Sequence, residues 1–305
     1  MRVTEAIESF DCFGARVTVL VIGEGELGSP AAAARLAKRM LLDWHGQFSR
    51  FEPDSELARL NADPRTTVPV SRVMAELVRA TILAAEQSGG LVDATLIREI
   101  EAAGYREDLT TPGLELGEAL AIAPARAPAA PAPAPAWREV ALDADAGTVT
   151  RPPGVCFDSG GLAKGLFGDV LGGLLAGHDS FAIDCAGDLR LDGRAELERP
   201  VLVESPFDGS TLHSFALSRG AVATSGIGRR SWLTSAGQPA HHLLDPATGR
   251  PAFTGIVQVT AIAPTGVEAE WRTKAALLSG PERAADWLPH GGVIVLDDGT
   301  VEIAQ

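Results

Sequence analysis

The stretch Phe157-Asp158-Ser159-Gly160-Gly161-Leu162-Ala163-Lys164-Gly165 decides how this chain is read. Residues 155–158 predict a short strand, Gly160-Gly161 a turn and residues 162–176 a helix. A strand turning straight into a helix presents unbonded N–H groups and the positive end of the helix dipole, which favours an anion. The glycines let a ligand approach the backbone, and Lys164 adds a cation in the first turn. This is not the P-loop pattern, because no Ser or Thr follows the lysine at the required spacing. Taken alone, the stretch is more simply a glycine turn with a surface lysine.

Working outward toward the N-terminus, residues 11–22 predict a strand, with Val17, Val19 and Val21 alternating with Thr18 and Leu20. Gly23 to Gly28 reads as a turn. Ser29-Pro30 then predicts a helix start, an N-cap followed by proline at the first helical position, and the helix runs to about residue 47. A second helix starts near Ser71, with Val73, Leu77, Ala80 and Ala84 on one face, and stops at Gly89-Gly90. Residues 121–136 alternate proline and alanine, a composition that favours polyproline II over helix or sheet. They read as a solvated loop or spacer inside the fold, or else as a domain boundary.

Toward the C-terminus, two short strands are expected within 137–149 and one at 181–184. Further strands are expected at 200–204, 212–217, 220–224, 240–244 and 256–263. A helix follows at about 267–279, a short one at 282–288 and a hairpin at 292–303. Strands and helices mix without a regular βαβ repeat, so the expected class is α+β, with layered mixed or antiparallel sheets and packed helices.

The formal net charge of −14 over 305 residues argues against a broad nucleic-acid footprint, which needs a basic face. No apolar run is long enough to predict a transmembrane helix, and the first residues lack the pattern of a signal peptide. Cys12, Cys156 and Cys185 are too few and too scattered for a disulfide framework. A cytoplasmic protein with reduced thiols is therefore expected.

Other segments carry candidate chemistry. His241-His242 leads into a turn at Asp245-Pro246-Ala247-Thr248-Gly249, where a histidine near a carboxylate suits proton transfer, or the aspartate simply caps the turn. Thr224 and Ser225 lie in a strand end of small residues. Glu270 and Lys274 are four apart on a helix, ordinarily an ion pair, otherwise part of a metal site. The segments 48–57 with Asn61, and 89–95, are turn-rich and polar, and capping is their simplest reading.

The order of these blocks resembles the FAD:protein FMN transferases, the ApbE-like family, from about residue 10 to 280. SRFEPDSELARLN, GGLVDAT, DSGGLAKG with Asp169 beyond it, DCAGD, ATSG, HHLLDPATGRP and AEWRTKAALLSG follow one another in the family's order. The resemblance implies one ApbE-like, T-fold-like domain over 1–305. It also implies an enzyme that cleaves FAD and attaches FMN to a Thr or Ser hydroxyl of an acceptor protein, releasing AMP. An FAD pyrophosphatase and a non-catalytic flavin-binding paralogue are the alternatives.

Residue by residue, the resemblance implies that Asp158 and Lys164 contact FAD and that Leu91, Val92 and Asp93 line the flavin side. It places Phe51 at the aromatic position of the SRF segment, and Thr224 and Ser225 against the ligand. His242, with Asp245, is the catalytic candidate. Magnesium ligands would be the Gly161 carbonyl and Glu270. Two positions depart from the family. Phe13-Gly14-Ala15 stands where M-G-T is usual, an apolar replacement that can still pack on the flavin. Lys274 stands where a gapless match expects the threonine ligand of Mg²⁺, so it becomes a candidate for contacting FAD directly. A one-residue shift would instead use Thr273 and rotate the helix face by about 100°.

Overall fold

The computed structural model describes residues 5–107 and 114–305. The strand expected at 11–22 is a hairpin, β1 (Glu5–Cys12) and β2 (Ala15–Ile22). Its turn is Phe13-Gly14, with φ of 56° and 76°. Phenylalanine rarely accepts that left-handed conformation, and the side chain it displays is used in the site described below.

Helix α1 (Pro30–Phe48) begins where Ser29 Oγ accepts from the Ala32 N–H at 3.3 Å. Its buried stripe, Ala33, Ala37, Leu41, Trp44 and Phe48, follows the 3.6-residue period. The turn-rich segment after it contains α2 (Glu56–Ala62), capped by Ser55. Strand β3 (Thr67–Pro69) and α3 (Arg72–Gln87) follow, the latter capped by Ser71 and stopped at Gly89 and Gly90, both at positive φ. Two short helices were not legible as such, α4 (Ile97–Ala102) and α5 (Leu116–Ala121). Residues 137–149 give a 3₁₀ turn, β4 (Ala141–Asp143) and the start of β5 (Thr148–Thr150).

The strand expected at 155–158 does not form, because that segment bonds to Asn61 and Ala94 rather than to a neighbouring strand, and the helix expected at 162–176 is α6 (Ala163–Leu175). After it come β6 (Ser180–Cys185), β7 (Asp188–Asp192), β8 (Arg199–Glu204), β9 (Thr211–Leu217) and β10 (Gly220–Gly226). The strand expected at 240–244 is broken into the short pieces β12 (Pro239–His241) and β13 (Leu244–Asp245), which pair with β11 (Ser231–Leu233) and β14 (Arg250–Pro251). The chain ends through β15 (Ile256–Ala263), α7 (Gly266–Ser279), α8 (Pro281–Ala284), β16 (Gly292–Leu296) and β17 (Val301–Ala304).

Eight strands form one antiparallel sheet in the order β1-β2-β6-β7-β10-β15-β16-β17, so the architecture is α+β as the sequence predicts. Helices α1, α6 and α7 pack against it. Val17, Val19 and Val21 of β2 and Phe181 and Ile183 of β6 are fully buried beneath them, each such side chain contributing about 1.5–3 kcal/mol by leaving water.

Two features position the site. Helices α6 and α7 cross backbone to backbone at Gly165 and Gly266. A Cβ on Gly165 would lie 2.4 Å from the Gly266 carbonyl carbon, so neither glycine can carry a side chain without moving a helix. Asp169, one turn further along α6, accepts from the N–H groups of Gly266 and Val267 at 2.7 and 3.0 Å and caps α7. The Pro/Ala-rich stretch is an exposed strap held by its backbone. Ala127 and Ala129 donate to the carbonyls of Phe253 and Leu278, and Arg126 pairs with Asp297 at 2.6 Å. Among the described residues no helix is long and apolar enough to cross a membrane.

Candidate active site

The 157–165 turn is fixed from three directions. Asn61, at the end of α2, clamps Phe157 with both ends of its amide: Nδ2 donates to the Phe157 carbonyl at 2.9 Å, and Oδ1 accepts from its N–H at 2.7 Å. Asp158 N–H donates to the Ala94 carbonyl at 2.8 Å, joining the GGLVDAT block. Ser159 Oγ donates to the Phe48 carbonyl at 2.8 Å, joining the end of α1. Asp158 turns its carboxylate back onto the Gly160 N–H at 3.0 Å. Segments far apart in sequence thus converge because their polar groups complete one another's backbone bonds.

The result is a cavity of about 870 Å³. Its lining includes Phe13, Phe51, Leu91, Val92, Asp93, Asp158, Gly161, Lys164, His242 and Lys274, so ten of the residues singled out by sequence meet there. One wall is aromatic. Phe13 stacks on Phe167 with ring centroids 5.6 Å apart. The Arg50 guanidinium lies 4.3 Å from the Phe51 ring and 4.5 Å from the Tyr105 ring, and Tyr105 stacks on Trp232. Such a surface suits a flat aromatic ligand. Asp93 accepts from the Thr95 N–H and hydroxyl, and burial raises its pKa.

The floor is charged. Lys164 pairs with Asp188, which also accepts from the Thr224 N–H at 3.2 Å. Burial opposes the charged form of Lys164, but Asp188 and Glu270 outweigh it and raise its pKa. Glu270 is buried, and its Oε2 accepts from the Gly165 N–H at 2.9 Å, near the start of α6. Burial, with the carboxylate of Asp188 beside it, pushes Glu270 up to about 8. Lys274 reaches past Glu270, its stem so close over Gly161 that a Cβ there would lie 3.3 Å from Lys274 Cε. Burial lowers its pKa, and Glu270 and Asp188 oppose that effect.

Four expected site residues lie off the lining. Thr224 shares a hydrogen bond with Thr260 at 2.9 Å, and Ser225 sits below Lys274, bonded to Thr273 at 2.7 Å. Glu270 stands behind the lining, on the Gly165 N–H. Asp245 caps its own turn, accepting from the Ala247 N–H at 3.1 Å and the Thr248 hydroxyl at 2.7 Å. It also accepts from the Ala130 N–H at 2.9 Å and so pins the strap. The simpler reading of that turn is the one its geometry fits.

His242 is half-buried on the lining, and its Nδ1 has no hydrogen-bond partner among the described residues. Burial, helped by the charges of Arg230 and Lys274, holds its pKa well below the ordinary value, so the ring is neutral near pH 7. Arg229 and Arg230 also line the cavity and were missed. They lie between strands in a stretch without periodicity, and only the adjacent pair of cations in a Gly/Ser-rich loop could have pointed to them. Among the described residues, no group of three or more His, Cys, Asp or Glu stands ready to hold a metal.

Fold and cavity together define an α+β protein built on an antiparallel sheet, with a ligand site that is aromatic on one wall and cationic at its floor. The model of the ApbE family matches residues 13–296, and the chain belongs to that family. It is 26% identical over 289 residues to the FAD:protein FMN transferase of Klebsiella pneumoniae (strain 342), covering 91% of this chain and 79% of that one. It is 28% identical over 248 residues to the protein of that name from Treponema pallidum (strain Nichols), covering 76% and 67%. The fold matches the ApbE protein of Thermotoga maritima with a TM-score of 0.78 at 24% identity, over 99% of this chain and 97% of that one. It matches the flavin transferase ApbE of Vibrio cholerae at 0.73 and 20% identity, over 99% and 96%.

Proposed function

We propose that this protein cleaves FAD at its diphosphate bridge and transfers the FMN half to a Thr or Ser hydroxyl of an acceptor protein, releasing AMP. The observation that carries the reading is the convergence of a neutral His242, the α6 N-terminus with Lys164, and an aromatic wall on one cavity. The flavin ring would lie against Phe13, Phe51 and the Leu91–Asp93 edge. The phosphates would face the Gly160-Gly161 turn and Lys164.

In the transfer, the acceptor oxygen bonds to the FMN phosphorus while the bond from that phosphorus to the bridging oxygen breaks. The bridging oxygen leaves with AMP. His242 takes the hydroxyl proton as the oxygen attacks. Burial, and after it the charges of Arg230 and Lys274, weaken the ring as a base. A bound diphosphate would offset their charge and raise its pKa toward the working range. Lys164 and the helix N-terminus would hold the charge that develops on the leaving phosphate. The local chain, not its acidic whole, meets the anion.

The residues present do not fit the magnesium ion that the family implies. Mg²⁺ wants carboxylate and phosphate oxygens, whereas an ammonium group, Lys274, lies over Gly161 and Glu270 is bound to the Gly165 N–H. No step above is routed through a metal.

The test is incubation with FAD and a threonine-bearing acceptor domain, following AMP and acceptor mass together. AMP with an acceptor heavier by one FMN group is the expected result. AMP with an unmodified acceptor would make the protein an FAD pyrophosphatase. Bound FAD without AMP would make it a flavin-binding paralogue.

A further inference from the structure

Lys274 makes no close ion pair among the described residues, although Asp188 and Glu270 act on it from further off. Its Nζ reaches only neutral oxygens, Ser225 Oγ at 3.4 Å and the Glu270 carbonyl at 3.3 Å, both long. Among the described residues no carboxylate is within ion-pairing distance of it. The nearby carboxylates are engaged elsewhere. Asp188 holds Lys164 and the Thr224 N–H, and Glu270 holds the Gly165 N–H. The guanidiniums of Arg229 and Arg230, on the same lining, likewise have no ion-pair partner among the described residues. A charge taken partly out of water needs an opposite charge close by, and with Asp188 and Glu270 bonded to other groups a ligand anion can come closest.

The neighbouring hydroxyl cannot restore a metal ligand. Thr273 is fully buried and off the cavity lining, bonded to Ser225 at 2.7 Å and donating to the Glu270 carbonyl at 2.9 Å. So α7 presents an ammonium to the cavity and turns its threonine into the packing. A divalent cation placed over Gly161 would meet that ammonium at short range, where two like charges repel strongly.

We propose that Lys274, with Arg230 on the same lining, neutralises the diphosphate of the bound dinucleotide in place of a metal ion, so that this protein binds FAD without a divalent cation. The inference rests on the functional reading above and names how that site holds its substrate. Lysine is suited to the role as a compact point charge on a flexible stem, which can follow a phosphate oxygen as the bridge changes geometry.

Isothermal titration of FAD into the purified protein tests it, once with EDTA and once with Mg²⁺. The expected dissociation constants agree within about twofold, a difference below 0.5 kcal/mol. Lys274→Thr is expected to bind FAD at least roughly tenfold more weakly in EDTA and to regain affinity with Mg²⁺. Lys274→Met, which keeps the stem and loses the charge, should be weakened in both buffers. Thermal melts of both variants check that they fold. Wild-type binding that tightens tenfold or more with Mg²⁺ overturns the proposal and leaves the functional reading standing. So does a folded Lys274→Thr that binds in EDTA as tightly as wild type. Failure of the wild-type protein to bind FAD in either buffer overturns both.

Discussion

His241 and His242 are adjacent and have opposite surroundings. His242 faces the cavity, and His242→Ala should lower kcat by roughly 10²–10⁴ while leaving FAD affinity within a few-fold. Single-turnover AMP release and equilibrium binding, measured side by side, check this. Because the free ring has a lowered pKa, protonation of His242 should cause no loss of kcat/KM as pH falls to 6.5, and such a loss should set in only below that. His241 is buried against Phe253, its Nδ1 accepts from the Leu243 N–H at 3.3 Å, and burial pushes its pKa down to about 3. Its unfolded value is near 6.5, so the unfolded chain binds the proton first as pH drops. The stability that neutral His241 represents is complete above pH 6.5 and is lost toward pH 3, at about 1.4 kcal/mol per pH unit. His241→Gln should flatten the acid side of a plot of melting temperature against pH. An unchanged slope would assign acid lability to other groups.

At the scale of elements, the α6–α7 crossing sets the spacing between Lys164 and Lys274. Gly165→Ala forces a methyl group into the Gly266 backbone and should cost about 1–3 kcal/mol, seen as a lower urea midpoint. FAD affinity should fall as well, because the two lysines would move apart. Asp169→Ala removes two hydrogen bonds from the α7 N-terminus and should cost about 1–2 kcal/mol without altering α6. The elements legible in sequence were those with local signals: Ser29-Pro30 opening α1, Ser71 and Gly89-Gly90 bounding α3, and the alternation in β2. Short helices such as α2 and α4 carry too few residues for a period to show, and packing stabilises them. The Phe13-Gly14 turn was missed because phenylalanine is a poor turn former. The site blocks were legible through their order. The orientation of Thr224 and Ser225 was not, since alternation along β10 does not say what lies above each face.

For the whole molecule, the strap links parts that the sheet does not. Asp245 ties it to the β13–β14 turn, and Arg126 ties it to Asp297 near the C-terminal hairpin. Asp245→Ala should release it, and hydrogen exchange should speed up at Ala130 and Ala247 before any change in the central sheet. Equal protection in the variant would mean that the other backbone bonds hold the strap by themselves. The order of strands has a consequence for how the protein is made. β2 pairs with β6, Ile22 against Ser180. At a synthesis rate of roughly 5–20 residues per second, the β1–β2 hairpin leaves the ribosome roughly 10–30 s before its neighbour exists. Through that interval the β6-facing edge of β2 is unpaired and invites association with other nascent chains, so yield in the cell should depend on chaperones that shield the first third of the chain.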